Sequence, residues 1–192
     1  MPRPFILAST SPRRQEMLKA AGFSFEVVAP EQEDDLPAGN SLAPKELVLS
    51  LALVKAAAVA AKRPEAIVLA ADTVVVLGDK ILGKPASGQE AEAMLRLLSG
   101  QVHQVLTGFC LEQGGLLHHT EVVMTEVEFR DLSLAEIKAY VASGSPLDKA
   151  GAYGIQDLGG GLVKRLNGSY TNVVGLPLAE VIEALARLGI KP

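Results

Sequence analysis

The sequence has only one cysteine and no long apolar run. These two features exclude an intrachain disulfide and a membrane-spanning apolar segment. With Cys110 alone, no intrachain disulfide can form, which fits a reducing compartment. The longest apolar stretch, Leu47 to Ala61, is interrupted by Ser50 and Lys55 and is too short to span a bilayer. The first residues lack the apolar core and the cleavage site of a signal peptide. We therefore expect a cytoplasmic chain without a membrane partner.

Positive charge is also scarce. The chain carries 18 lysines and arginines against 22 aspartates and glutamates, which gives a net charge of −4. No broad basic surface for a nucleic acid polymer is indicated, so an anionic partner would meet only a few local cations. The sequence also lacks the Gly-x-x-x-x-Gly-Lys-Ser/Thr motif, which excludes a P-loop NTPase.

Helix and strand signals are interspersed along the 192 residues, whose length fits a single domain over residues 1–192. Helices with capping or glycine stop signals are predicted at 12–21, 44–62, 88–98, 134–142 and 178–188. Strands are predicted at 5–8, 67–77, 80–82, 102–112, 116–129, 159–166 and 170–174. Several neighbouring strands are joined by short turns and form hairpins. The expected fold class is therefore α/β, with a mixed β-sheet and helices packed on it.

The first unusual segment directly follows the opening strand. Ser11 is placed to cap a helix, yet the first turn carries Arg13 and Arg14, where acidic residues are normally favoured. A phosphate bound there would reverse this disadvantage, because hydroxyls, backbone N–H groups and guanidinium groups would all contact it. Ser9 and Ser11 would supply the hydroxyls. The alternative is a pair of solvated arginines on a surface helix.

Two further charged residues interrupt apolar elements. Lys55 lies on the apolar face of a predicted helix, so it must either extend to solvent or meet an anion. Asp72, followed by Thr73, lies inside an apolar strand, where a carboxylate is costly unless it has a partner. A metal ligand or a general base would explain Asp72. The alternative is a structural carboxylate satisfied by backbone groups or by Lys55.

The fourth unusual segment is glycine-rich and spans 147–156. Its glycines allow the backbone to approach a ligand closely, although such segments are often only turns. Asp148, Lys149 and Gln156 add a carboxylate, an ammonium group and an amide, and an amide can read the edge of a base. Lys84 adds another cation before this segment. Several local cations combined with carboxylates indicate phosphoryl chemistry.

The histidines do not suggest a second kind of site. His103, His118 and His119 lack the spacing of a metal site, and we interpret the adjacent pair as non-catalytic. No Ser-His-Asp or Cys-His pairing is indicated.

In their order and spacing, these segments resemble the Maf family of nucleotide pyrophosphatases, over nearly the whole length of the chain. The matching segments are LASTSPRR at 7–14, KA at 55–56, ADTVV at 71–75, GKP at 83–85, LSG at 98–100 with His103 and Thr107, DKAGAYGIQ at 148–156, GSY at 168–170 and VGLP at 174–177. Each is modest alone, but the ordered set is highly specific.

The resemblance implies a fold similar to that of the inosine-triphosphate pyrophosphatases, a homodimer, and metal-dependent cleavage of a nucleoside triphosphate between its α and β phosphates. The segment 148–156 is similar to that of the subgroup acting on dTTP and UTP, whose specificity positions match Arg13, Thr73 and Gln156. Asp72 matches the proposed proton acceptor, and Glu33 is assigned as a metal or water ligand. Asp157 departs from the glycine that relatives more often carry.

Residues and resemblance together suggest one mechanism. Cations and hydroxyls clamp the triphosphate, a divalent ion (Mg2+ or Mn2+) lies near Asp72 and Glu33, and Asp72 activates the water that attacks the α-phosphorus. Lys55 supports Asp72 and the phosphates. The predicted phosphate and substrate contacts are Ser9, Ser11, Arg13, Arg14, Thr73, Lys84, Asp148, Lys149 and Gln156. The alternatives are a non-catalytic nucleotide-binding regulator of cell division, which would not need Asp72, and a sugar-phosphate phosphatase.

Overall fold

The computed structural model describes residues 3–31, 42–156 and 158–192. The strands are β1 (Phe5–Leu7), β2 (Glu26–Val27), β3 (Ile67–Leu77), β4 (Lys80–Leu82), β5 (Val102–Gln113), β6 (Leu116–Phe129) and β7 (Val163–Asn167). The α-helices are α1 (Pro12–Ala20), α2 (Pro44–Ala60), α3 (Gly88–Leu98), α4 (Leu134–Ala142), α5 (Tyr170–Val174) and α6 (Leu178–Arg187). Short 3-10 helices span Ser145–Asp148, Ala150–Ala152 and Leu158–Leu162. No helix of the described residues is long and apolar enough to cross a membrane.

The strands form one mixed sheet, as expected. Their order is β2-β1-β3-β5-β6-β7, and β4 pairs with β3. β1 pairs in parallel with both β2 and β3, whereas the β3–β4 and β6–β7 pairs are antiparallel. The predicted α/β fold class is therefore confirmed.

Side-chain caps explain why two helices begin where the sequence predicts. The Ser87 hydroxyl accepts a hydrogen bond from Glu90 N at 3.2 Å at the start of α3. At the start of α4, Ser133 Oγ accepts from Glu136 N at 3.2 Å, and Glu136 Oε2 accepts from Ser133 N at 2.9 Å. Each bond satisfies a backbone N–H that has no partner within its helix.

The chain divides into two compact units. The first unit comprises Met1–Asp72, Thr107–Val123 and Gly175–Pro192, and the second comprises Thr73–Leu106 and Met124–Val174. The sequence-based expectation of one domain over residues 1–192 stays a prediction.

The core of the first unit is built largely from small side chains. Ala52 and Ala56 of α2 pack with Ile6 of β1 and Val68 of β3. Cys110 belongs to the same cluster and is fully buried, and burial raises the pKa of its thiol to about 12. It is therefore a core residue of a strand, as the sequence indicates.

The core of the second unit contains larger side chains, several of them aromatic. Leu95 and Leu98 of α3 pack in one cluster with Phe129 of β6, Tyr140 of α4 and Tyr153. Because Tyr153 belongs to the glycine-rich segment, this cluster anchors that segment to the core.

Two of the predicted strands, both near the C-terminus, differ from the structure. Residues 170–174 form helix α5 and not a strand, because Ser169 caps them: its Oγ accepts from Asn172 N at 3.2 Å. The predicted strand 159–166 is a 3-10 helix over Leu158–Leu162 followed by β7. Three consecutive glycines at 159–161 leave no side chains to sustain a strand there.

Candidate active site

A buried hydroxyl and an arginine meet just after β1. Ser9 is 4% exposed, and its Oγ accepts hydrogen bonds from Ser11 N at 3.2 Å and from Arg14 Nη1 at 3.3 Å. Arg14 Nε also donates to the backbone oxygen of Gly175 at 2.7 Å. The arginine is therefore held in place by two parts of the first unit, and the interpretation as a freely solvated surface residue is wrong.

Ser11 directly precedes α1, and Arg13 lies in the first turn of that helix. Ser11 has the extended backbone of an N-cap residue, as predicted, but its side chain makes no capping hydrogen bond. Pro12 follows at the first helical position, where its missing N–H carries no penalty. The first turn contains no acidic residue, so the partial positive charge of the helix end is not offset by a carboxylate from that turn.

Lys55 and Asp72 form a buried ion pair in the same unit. Lys55 Nζ lies 2.6 Å from Asp72 Oδ1, and the two residues are 6% and 5% exposed. The alternative in which Lys55 extends to solvent is wrong. The Asp72 carboxylate therefore has a buried cationic partner, as expected for a carboxylate that Lys55 supports.

Strand register relates the positions of Ser9 and Asp72 within the first unit. β1 and β3 are parallel with Leu7 opposite Leu69, and Ala8 N donates to Leu69 O at 2.8 Å. Ser9 lies two residues past Leu7, and Asp72 lies three residues past Leu69. In open α/β sheets, ligands bind beyond the carboxyl ends of parallel strands. Ser9 therefore lies just past the carboxyl end of β1, where that fold class binds ligands, and Asp72 lies on β3 beyond the part that pairs with β1.

The remaining predicted substrate contacts belong to the second unit. Thr73 is half-buried in β3, Lys84 is exposed after β4, and Gln156 is half-buried. Lys149 Nζ donates to Ser145 O at 2.6 Å and to Asp148 Oδ1 at 2.7 Å. Lys149 and Asp148 are thus paired with each other, and part of the hydrogen-bonding capacity of each is already used within the protein.

Two glycines of the segment 147–156 lie close to other protein atoms. Gly151 has a φ of +67°, and a Cβ there would lie 2.9 Å from Val75 Cγ2. A Cβ on Gly154 would lie 2.6 Å from Lys149 Cε. The small size of Gly151 is therefore required by its backbone conformation and packing, whatever ligand the segment contacts, whereas the Lys149 side chain beside Gly154 can move.

Two residues singled out from the sequence lie outside the described residues. They are Glu33, expected as a catalytic and metal-binding residue, and Asp157. Among the residues that are described, no group of three or more His, Cys, Asp or Glu side chains is placed to hold a metal ion. Asp72 nevertheless suits Mg2+, which commonly uses one or two carboxylates together with substrate phosphates and water.

Sequence reasoning missed two contacts. One acceptor for Arg14 is the backbone carbonyl of Gly175, which no side-chain pattern can reveal. His103 has no role in the predicted mechanism, yet it is 1% exposed and bonded to Tyr153 at 2.7 Å. The only signal for this pair is that both residues fall within the segments that carry the family resemblance.

Comparison with known proteins gives consistent matches. A family model described as Maf-like protein matches residues 4–188. A dTTP/UTP pyrophosphatase from Symbiobacterium thermophilum is 50% identical over 186 residues, covering 96% of this chain and 93% of the relative. A dTTP/UTP pyrophosphatase from Geotalea uraniireducens is 48% identical over 187 residues, covering 96% and 94%. Among solved structures, a nucleoside-triphosphatase / dITP/XTP pyrophosphatase from Mycobacterium abscessus has a TM-score of 0.48 at 15% identity, covering 96% of this chain and 97% of that one.

Proposed function

The chain belongs to the Maf family, and from this premise we propose that it hydrolyses nucleoside triphosphates, dTTP and UTP in particular, to the monophosphate and pyrophosphate. Two relatives that are 48% and 50% identical, each aligned over 96% of the chain, carry the name dTTP/UTP pyrophosphatase. The activity follows from the family and from the chemistry of the candidate site.

The observation that carries the proposal is the buried Lys55–Asp72 ion pair. Two apolar side chains would fill this space without the large desolvation free energy that burying two charges requires. A carboxylate held at 2.6 Å from an ammonium group is instead suited to orient a water and accept its proton during attack on the α-phosphorus. Lys55 then offsets negative charge on both the carboxylate and the phosphates.

The start of α1 supplies the proposed phosphate contacts. Arg13 and Arg14 add guanidinium groups, Ser9 and Ser11 add hydroxyls, and the helix end adds backbone N–H groups with partial positive charge. The bonds from Arg14 to Ser9 and Gly175 reduce the rotational freedom that substrate binding would otherwise remove.

The remaining predicted contacts are proposed to recognise the substrate. Lys84 adds a cation for the phosphates, and Thr73 and Gln156 contact the base, where the paired donor and acceptor of an amide distinguish one base edge from another. Asp148 and Lys149 are proposed to border the substrate as a mutually bonded pair.

A divalent cation, Mg2+ or Mn2+, is proposed as the cofactor. Asp72 and Glu33 would hold it, and it would neutralise phosphate charge when bound. We also propose that the protein is a homodimer, as the family resemblance implies, and that it works in the cytoplasm, a reducing compartment that fits its single cysteine.

Product analysis tests this function directly. Purified protein with Mg2+ or Mn2+ is given dTTP, UTP, CTP, 5-methyl-UTP, ITP and 7-methyl-GTP, and the released phosphate species are identified. We expect pyrophosphate and monophosphate from dTTP and UTP, with turnover reduced by roughly 10²- to 10⁴-fold in Asp72→Asn, the range of a general base.

Other results would point to a different function or to a different role for Asp72. Inorganic phosphate as the product would indicate a phosphatase. Nucleotide binding without turnover on any substrate would indicate the non-catalytic regulator. A near-normal rate in Asp72→Asn would leave the activity in place but remove Asp72 from the role of base.

A further inference from the structure

The second unit buries a histidine that no step of the proposed reaction uses. His103 lies in β5, is 1% exposed, and its Nε2 lies 2.7 Å from the hydroxyl of Tyr153. Its Nδ1 is buried and has no hydrogen-bond partner among the described residues. The rings of Phe129 and Tyr153 lie edge-on to the imidazole at 4.9 and 5.4 Å. Burial lowers the pKa of His103 to about 4, so the ring is neutral near pH 7.

In either tautomer of His103, the pair leaves a buried polar group without a hydrogen bond, which costs free energy. If Nε2 accepts the tyrosine O–H, the proton sits on Nδ1 and that buried N–H is unsatisfied. If Nε2 donates instead, the Nδ1 lone pair is unsatisfied and the tyrosine proton needs another acceptor. Buried polar groups without partners are rare and destabilising, and those that are kept tend to lie at functional places.

What the pair holds is the start of the segment leading to Gln156. Tyr153 follows Ala152, the only non-glycine residue of the described chain with a positive φ, at 60°. That left-handed conformation is unfavourable for alanine and persists only where the surroundings enforce it.

A second hydroxyl holds the next residue. Tyr140 Oη accepts a hydrogen bond from Gly154 N at 3.2 Å. Tyr140 is 5% exposed and belongs to the same core cluster as Tyr153. Two buried aromatic hydroxyls, one positioned by His103, therefore fix the backbone directly after the strained residue and two to three residues before Gln156.

We propose that His103 is a positioning residue for base selectivity, which acts through Tyr153 to hold the strained backbone that presents Gln156. The proposal rests on the proposed function, in which Gln156 contacts the base. It assigns His103 no contact with the substrate. Its effect is expected in the discrimination between bases and not in the rate of phosphorus attack.

The test compares kcat/KM for UTP with kcat/KM for CTP, which share a ribose and a triphosphate and differ in the base edge. His103→Leu and Tyr153→Phe each remove the bond, whereas His103→Gln retains a side-chain group able to reach the tyrosine hydroxyl. Gln156→Ala gives the reference for lost selectivity. Thr125→Val is the matched control, because Thr125 is fully buried in the same unit and its hydroxyl bonds to Ser169 and Asn172.

We expect the UTP/CTP ratio to fall roughly fivefold to tenfold in His103→Leu and in Tyr153→Phe, with kcat for UTP changed by less than about twofold. The ratio should be restored in His103→Gln and unchanged in Thr125→Val. A purely structural role would lower the active fraction for both nucleotides equally and leave the ratio unchanged, which would overturn the proposal. An unchanged ratio in either folded bond-deleting variant is enough to overturn it.

Failure of the underlying function would look different. If the unaltered protein releases pyrophosphate from no nucleotide, the proposed function fails before any variant is considered. If the unaltered protein is active and selective but the bond-deleting variants keep its selectivity, only the role of His103 fails.

Discussion

The buried Lys55–Asp72 pair of the first unit and the buried His103–Tyr153 pair of the second unit differ in charge. In the first unit Lys55 and Asp72 form an ion pair at 2.6 Å, and in the second unit His103 and Tyr153 share a neutral hydrogen bond at 2.7 Å. All four residues are at most 6% exposed. The geometries are nearly the same, so the difference between the pairs lies in their chemistry.

The difference indicates a division of labour. A buried charge pair is a weak source of net stability, but it supplies a proton acceptor and a cation for phosphoryl chemistry. A buried neutral pair contributes no charge to the reaction and instead fixes where the backbone lies. We therefore expect damage to the first pair to abolish turnover, and damage to the second to alter conformation and selectivity.

The largest expected effect comes from breaking the ion pair. Lys55→Met leaves the Asp72 carboxylate buried without its lysine, so the free energy of unfolding should fall by about 3–5 kcal/mol. Denaturation in urea measures this loss, and turnover of dTTP should fall at the same time.

A double variant separates charge from packing. Lys55→Met combined with Asp72→Leu removes both charges, and we expect most of the lost stability to return without any turnover. If the double variant is no more stable than Lys55→Met, the lost stability does not come from the unpaired carboxylate alone. Turnover in the double variant would contradict the catalytic role.

The stability of the protein should fall at acidic pH, because folding lowers the pKa of His103. The pKa of His103 is about 4 in the folded chain against 6.5 for an ordinary histidine. Between these values the unfolded chain binds a proton that the folded chain does not, so stability is full above pH 6.5 and declines as the pH falls towards 4. The decline attributable to His103 should be roughly 2–4 kcal/mol.

His103→Gln provides the control for this pH dependence. Thermal or urea unfolding of both proteins is measured between pH 7 and pH 4. The carboxylates contribute equally to both curves, so the difference between the curves reports on His103. The unaltered protein should lose more stability than the variant as the pH falls. Parallel curves would show that His103 is not held neutral in the folded chain.

A smaller effect is expected from crowding the backbone beside the neutral pair. A Cβ on Gly159 would clash with Gly154 O and would lie 2.8 Å from Tyr140 Oη, whereas a Cβ on Gly161 would meet nothing within 4 Å. Gly159→Ala should therefore destabilise the protein by about 1–3 kcal/mol. Gly161→Ala is its matched control and should change stability by no more than about 0.5 kcal/mol. Equal melting temperatures for the two variants would contradict the close packing described for this segment.

Local signals account for what the sequence predicts well. The bounds of α3 and α4 match those predicted because Ser87 and Ser133 begin these helices with side-chain caps. The β3–β4 hairpin also matches, because Gly78 has a φ of +58° and permits a tight turn. By contrast, β2 is only two exposed residues long and carries no hydrophobic pattern.

Contacts between distant residues account for what the sequence leaves open. The residue types of the ion pair stand out because a charge interrupts an apolar element, but their pairing depends on how α2 packs on β3. The β-branched residues at 170–174 predict a strand, and the capping bond of Ser169 overrides that preference to give a helix. His103 shows no pattern of its own, since its partner lies 50 residues away.

The burial of Cys110 has a practical consequence for spectroscopy. Its thiol is fully enclosed and its pKa is raised to about 12, so almost no thiolate is available to an alkylating reagent at neutral pH. A cysteine introduced at an exposed position in either unit would then be the one modified by a maleimide dye or a spin label. Fluorophores can be attached singly to each unit without first replacing the native cysteine, and their emission can report on nucleotide binding in otherwise unaltered protein.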